Sequence, residues 1–370
     1  MAGHLFGSGK FGWGVCIDDM WMYAGFAPPK SIIIPHFLNV ELPEGPFTLR
    51  AAPKQSDHVA ALTTPSEAND QEYGTEMLCK SLASQLKRCG INFVRGWFQW
   101  NLFQPRILRR KQQEYSFPLD PFVRELNNAG IRIAAVLGNG YFRFLPKGIN
   151  IDRPADYVAR LAEASREIVR HYRGKIDMWQ LENEPNWWLE HLSTDWRRGG
   201  IWLEKDIAET ILAELQRIVK EEDPKTETMI NLEADTAHIF FKHYSKYCDV
   251  LGLDFYPNYL RSEPINVSEV SRIARKAKEL VGTEILVAET GYPSGPRLFG
   301  YSEAKQVEYV KSVCEEAYSS DGVSGLGMWR LSDTYWLSFP FQENHFGLLN
   351  RQGSPKQAWF EYVKQIRGHP

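Results

Sequence analysis

Cysteine is scarce and scattered in this chain of 370 residues: Cys16, Cys79, Cys89, Cys248 and Cys314 form an odd-numbered set with no CxxC pair. That spacing argues against a disulfide framework and reads as reduced thiols used for packing. The nine histidines include no HxH or HExxH, so the sequence gives a metal site no support, and no cofactor is expected. The "GNG" at 138–140 is too short to act as a nucleotide-binding loop. Excess charge of either sign is also missing, with 43 Lys and Arg against 46 Asp and Glu. A formal net charge of -3 and a pI near 6.3 supply no electrostatic reason to bind nucleic acid or an acidic membrane. No stretch approaches the roughly 18 apolar residues of a membrane span, and the opening "MAGHLFGSGKFGWG" has no apolar signal-peptide segment. A cytoplasmic location is the expectation, with secretion the alternative if a leader was removed. Fixed-period repeats and low-complexity tracts are missing as well.

Aromatic side chains, by contrast, are plentiful: 12 Trp, 16 Tyr and 20 Phe make up 13% of the chain. They crowd most densely in "WQLENEPNWW" (179–188), where carboxylates stand among indole rings. A core has no use for unpaired carboxylates, and a surface loop has no use for so many rings. The pattern suits a site that handles something flat-faced and polar.

Around this stretch, short apolar runs alternate with amphipathic segments. "INFVRGWFQW" (91–100), "IRIAAVLGNG" (131–140), "IDMWQLENEP" (176–185) and "TMINLEAD" (228–235) read as buried strands. So do "DVLGLDFYPN" (249–258), "EILVAETGYP" (284–293) and "GLGMWRLSD" (325–333), with "FGWGVCIDD" (11–19) as the first. Helical faces fall between them: Leu78, Leu82, Leu86 and Cys89; Leu161, Ile168, Val169 and Tyr172; Ile207, Ile211, Leu215 and Ile218. Eight strands, each but the first followed closely by a helix, are the count and order of a (β/α)8 TIM barrel. A doubly wound open sheet is the other reading, because periodicity does not show closure. The whole of 1–370 reads as a single catalytic domain. The proline-rich stretch 20–74 reads as an elaborated first βα loop, a long insertion at the catalytic face.

In such a barrel, functional groups stand at the C-terminal ends of strands. Those ends carry Arg95 and Trp97 on strand two, Asn183-Glu184-Pro185 on strand four and Asp254 and Tyr256 on strand six. Strand seven contributes Glu289, and strand eight Trp329. Two carboxylates meeting over one pocket are what glycoside hydrolysis requires, one to protonate the leaving oxygen and one to attack or stabilise the sugar cation. Asp254 either adds a third polar group to the pocket or forms a strand-end turn.

These residues, in this order, resemble the retaining glycoside hydrolases of clan A, over about residues 91–333. The resemblance extends more loosely to "HFGLLNRQGSPKQAW" (345–359). Families 5, 39 and 53 fit the strand-four motif, and "ILVAETGYPSG" is similar to the nucleophile segment of family 17. That family lacks the Asn-Glu-Pro and the strand-eight tryptophan, and Pro296 interrupts its pattern. The resemblance therefore implies a mechanism and not one sugar.

It implies Glu184 as general acid, favoured in its protonated form by apolar walls and a neighbouring negative charge. It implies an ionised Glu289 as nucleophile, held by Arg95 and hydrogen-bonded by Tyr256, with Asn183 on the sugar 2-hydroxyl. Trp97, Trp100, Trp187, Trp188 and Trp329 would stack on sugar faces, while Glu182 would be structural. The implied activity is hydrolysis of β-linked glycosides or short oligosaccharides by double displacement. A transglycosidase, an endo-β-glucanase or mannanase, and a non-catalytic sugar-binding barrel are the alternatives. Rings spread over several strand ends, including Tyr335 and Trp336, suggest at least two sugar subsites. The 20–74 stretch and "DTYWLSFPFQENHF" (333–346) are expected to wall one end of the groove.

Overall fold

The structure is a computed structural model that describes residues 6, 10–17, 65–108, 113–138, 144–186, 205–334 and 341–369, with only the backbone of 65–75 and 205–206. Its strands are β1 (Gly12–Cys16), β2 (Phe93–Trp97), β3 (Arg132–Val136), β4 (Met178–Asn183), β5 (Glu227–Glu233), β6 (Val250–Phe255), β7 (Ile285–Thr290) and β8 (Val323–Met328). Each pairs in parallel with the next, and β8 returns to β1 through Gly12↔Gly325, Trp13↔Leu326 and Gly14↔Gly327. The sheet is a closed barrel, so the open-sheet alternative is discarded.

Among the described residues, eight helices cover the outside: α1 (Pro65–Arg88), α2 (Asp120–Ala129), α3 (Pro154–His171), α4 (Lys205–Glu222), α5 (Ala234–Tyr244), α6 (Glu269–Val281), α7 (Glu303–Ser319) and α8 (Gln357–Gly368). A single helical turn, Trp100–Phe103, follows β2. Helix faces match the sequence pattern with small rotations. On α1 the deepest side chains are Cys79, Ala83 and Leu86, while Leu78 and Leu82 sit at the edge of that face. On α3, Leu161, Ile168 and Val169 are buried, as is Tyr172 just beyond its end.

One boundary needs correction. Residues 65–74, read from the sequence as loop, are the first turns of α1. Pro65 opens the helix, where its missing N–H and fixed φ cost nothing. The run "PSEANDQEYG" carries no apolar stripe to announce it. The remainder of the proposed insertion, 20–64, lies outside the described residues, as do Tyr335 and Trp336.

The core has two parts. The larger lies between the outer faces of the strands and the helices, where each fully buried Leu, Ile, Val or Phe contributes about 1.5–3 kcal/mol. The smaller fills the barrel itself and consists of Phe6, Phe93, Ala134, Met178, Met229, Leu286 and Ala288. Glycines make room for it: a side chain at Gly14 would overlap the Phe93 ring, and one at Gly12 the Phe6 ring. All five cysteines are buried and none is joined in a disulfide. Among the described residues, no helix is long and apolar enough to cross a membrane, and no cluster of His, Cys, Asp and Glu is arranged to hold a metal ion.

Candidate active site

Above the apolar plug, toward the C-terminal ends of the strands, the barrel interior turns polar. On β2, Phe93 belongs to the plug, and Arg95, two residues on and so on the same face, rises into the polar layer with 0% exposure. A buried guanidinium needs both a counter-charge and acceptors for its fork of N–H groups. Arg95 has them from two strands. Its Nε donates to Gln180 Oε1 at 2.6 Å and its Nη2 to Asn183 Oδ1 at 2.7 Å, both on β4. Its Nη1 pairs with Glu289 Oε1 of β7 at 2.5 Å. The other Glu289 oxygen, Oε2, accepts the Tyr256 hydroxyl at 2.8 Å. Burial, followed by the negative charge of Glu289, raises the Tyr256 hydroxyl well above the usual tyrosine range, so it remains a donor. Glu289 is thus gripped on both oxygens at the mouth of the barrel.

Strand irregularities make this convergence possible. Gln180 and Asn183 are three residues apart, and a regular strand would point them to opposite faces. The β4–β5 register shifts between Gln180 and Glu182, and both side chains bond Arg95. Glu182 is 2% exposed and accepts the Asn183 N–H at 2.8 Å. Burial is the larger cause that lifts the hydroxyls of Tyr157 and Tyr244, and the charge of Glu182 adds to it. On β7, register shifts against β6 and β8 let Ala288 join the plug while the next residue, Glu289, reaches Arg95. Thr290 then faces outward, its hydroxyl 2.8 Å from the Phe255 carbonyl and 2.6 Å from the Tyr309 hydroxyl.

Asn231 of β5 ties the layer together. Its side-chain Nδ2 donates to Asn183 Oδ1 at 3.0 Å and to Asp254 Oδ2 at 2.6 Å, and its side-chain Oδ1 accepts Gln180 Nε2 at 2.5 Å. Glu184, just past β4, is half-buried and has a left-handed backbone with φ 45. Among the described residues it is the one non-glycine so placed, a conformation found where surrounding structure over-determines it. Its N–H donates to the Asn231 carbonyl at 3.1 Å, and its Oε2 accepts Asn183 Nδ2 at 3.4 Å. Burial, then the charges of Glu289 and Glu184, push the Asp254 carboxyl well above the ordinary aspartate range. Glu184 bonds Asn231, Asn231 bonds Asp254, and Asp254 is in register with Glu289, so both glutamates stand at the same end of the barrel.

No family model matches the sequence, and no curated protein matches it either. Solved structures do. The barrel is similar to those of glycoside hydrolases. A variant of GH5_18 from Streptomyces cattleya, in complex with Manb1-4GlcNAc, superposes with a TM-score of 0.63 at 16% identity, covering 79% of this chain and 75% of that one. A GH5_18 variant from Bifidobacterium longum subsp. longum with the same disaccharide gives 0.61 at 17% identity, over 81% and 74%. Xylanase 10B from Thermotoga maritima gives 0.57 at 17% identity, over 75% and 87%. At these identities the likeness establishes the fold.

The tryptophans divide. Trp97, at the end of β2, is 6% exposed and lies against Phe144 with ring centroids 5.1 Å apart. Trp329 is half-buried after β8, joined to Arg330 by a cis peptide, with the Arg330 guanidinium 5.6 Å from its ring centre. Trp100 requires a correction. It opens the short helical turn, is 2% exposed, packs near Tyr157 in the outer core and donates its indole N–H to Gln104 at 2.8 Å. Its ring is committed to packing and is not a wall of the site. Trp187 and Trp188 lie outside the described residues. Sequence reasoning passed over Gln180 and Asn231, whose signal was an uncharged polar side chain in the middle of an otherwise buried strand. It also passed over the packing role of Gly291, where a side chain would overlap the Trp329 carbonyl oxygen and lie 2.9 Å from the Phe346 ring.

Proposed function

We propose that this protein is a retaining β-glycoside hydrolase that cleaves β-linked glycosides or short oligosaccharides through a glycosyl-enzyme intermediate. The observation that carries the reading is the grip on Glu289: one oxygen on Arg95 at 2.5 Å and the other on Tyr256 at 2.8 Å, with Glu184 at the same end of the barrel through Asn231 and Asp254. A guanidinium on one oxygen and a hydroxyl on the other fix the orientation of this carboxylate, which attack on a sugar carbon requires. The likeness to barrels crystallised with a β-linked disaccharide supports a substrate of that class.

In the first step, Glu289 attacks the anomeric carbon while Glu184 gives its proton to the departing glycosidic oxygen. The ester that forms removes the negative charge of Glu289. Glu184, now a carboxylate, takes a proton from the incoming water, whose oxygen attacks the anomeric carbon and releases Glu289. Asn183, held by Arg95 and Asn231, bonds the sugar 2-hydroxyl in this reading. Trp97 and Trp329 supply ring faces for the sugar.

A panel of aryl β-glycosides (glucoside, galactoside, mannoside, xyloside, fucoside) beside β-glucans and mannans identifies the substrate. On the best substrate, Glu289→Ala should lose turnover by several orders of magnitude, with azide restoring it as the α-glycosyl azide. Glu184→Ala should still release dinitrophenol, a leaving group that needs no proton, and azide should accelerate deglycosylation. A Glu184→Ala variant fully active on unactivated substrate would overturn the acid assignment. Sugar binding without turnover across the whole panel would favour a non-catalytic barrel. Sugar transfer in preference to hydrolysis would favour a transglycosidase.

A further inference from the structure

We propose that Asp254 is a proton-bearing carboxyl at neutral pH and a positioning residue, holding Asn231 and, through it, Asn183 beneath the two glutamates. Asp254 is 0% exposed, on β6 in register with Glu289 of β7. Its Oδ2 accepts Asn231 Nδ2 at 2.6 Å, and its Oδ1 meets no hydrogen-bond partner among the described residues. A carboxylate buried with one neutral donor is far costlier than a neutral acid in the same place.

The charges facing Asp254 point the same way. The Glu289 carboxylate acts on it from β7 and the Glu184 carboxyl lies toward it from the end of β4, while Arg95 acts from β2 and Tyr256 shares its strand. The Arg95 nitrogens are directed to Gln180, Asn183 and Glu289. Among the described residues, the Arg95 cation faces the carboxyls of Glu289, Glu184 and Asp254, and Asp254 is the most deeply buried of them. Burial is the largest cause that favours its proton, ahead of the charge of Glu289. As a neutral acid it accepts at Oδ2 and keeps one hydroxyl donor at Oδ1, a pattern that an asparagine amide reproduces with one further N–H.

The protonation state is testable without any substrate. An aspartate in the unfolded chain loses its proton near pH 3.9, and a folded carboxyl with a raised pKa retains it above that. The folded state then binds the extra proton, so stability falls as pH rises from about 4 toward the folded pKa. Asp254→Asn has no such proton. The melting temperature of Asp254→Asn minus that of wild type should therefore increase by at least about 2 °C between pH 4 and pH 8. A flat or decreasing difference would mean a carboxylate and overturn the proposal. Asp254→Ser, uncharged at every pH, supplies the same comparison should the asparagine variant fail to fold.

The positioning role rests on the glycosidase reading and has its own readout. Asp254→Asn should retain at least tenfold more kcat than Asp254→Ala, with similar KM; equal losses would overturn it. Absence of glycosidase activity in wild type would reject that reading and the positioning role with it. The melting series would still decide the protonation.

Discussion

Arg95 places its nitrogens on Gln180, Asn183 and Glu289, so its charge and its geometry act together at one carboxylate. Tyr256 completes the grip on the opposite oxygen. Hydrogen bonds to charged groups contribute about 1.5–3 kcal/mol. Tyr256→Phe should therefore lower kcat by about 10- to 150-fold while leaving KM nearly unchanged. Steady-state kinetics on the best aryl glycoside measures it, and an unchanged kcat would mean that the hydroxyl does not tune Glu289. At this scale the sequence was legible where a polar residue stands at or near a strand's C-terminal end, as with Asn183, Tyr256 and Glu289, and where a charge interrupts an apolar strand, as with Arg95. It was less legible for Gln180 and Asn231, because a polar residue in mid-strand reads equally well as a satisfied core group. Trp100 shows a further limit: its distance past β2 does not say which way the chain turns, and the ring turns inward.

At the scale of elements, the site depends on strands that break their own alternation. The irregularities on β4 and β7 bring Gln180 with Asn183, and Ala288 with Glu289, to the barrel interior. A register slip of this kind leaves the apolar pattern of a fully buried strand almost unchanged, which is why periodicity located the strands but not their bulges. The β7 end is also tightly packed. A methyl group at Gly291 would overlap the Trp329 carbonyl and press on Phe346, whose ring lies 5.6 Å from that of Tyr256. Gly291→Ala should cost about 1–3 kcal/mol in stability and lower kcat by displacing Trp329 and Tyr256. Chemical denaturation together with kinetics measures both, and a variant with wild-type stability and kcat would contradict the packing argument. The start of α1 was hidden for a different reason: its first turns carry polar side chains and no stripe to bury.

Across the whole molecule, ring closure turns distant strand ends into one site. Glu184 and Glu289 stand 105 residues apart in sequence (289 − 184), and closure of β8 on β1 brings β4 and β7 around a single mouth. The count and order of elements made the barrel legible. Closure was not, because the same alternation serves an open sheet; it follows from the β1–β8 pairing and from glycines that leave room for Phe6 and Phe93 inside. The central claim is double displacement at Glu289, and the stereochemistry of the first product tests it most directly. Proton NMR of the earliest sugar released from a β-glycoside should show the β anomer first, with the α anomer appearing only as mutarotation proceeds. An α anomer appearing first would mean a single displacement by water, and Glu289 would not be the nucleophile.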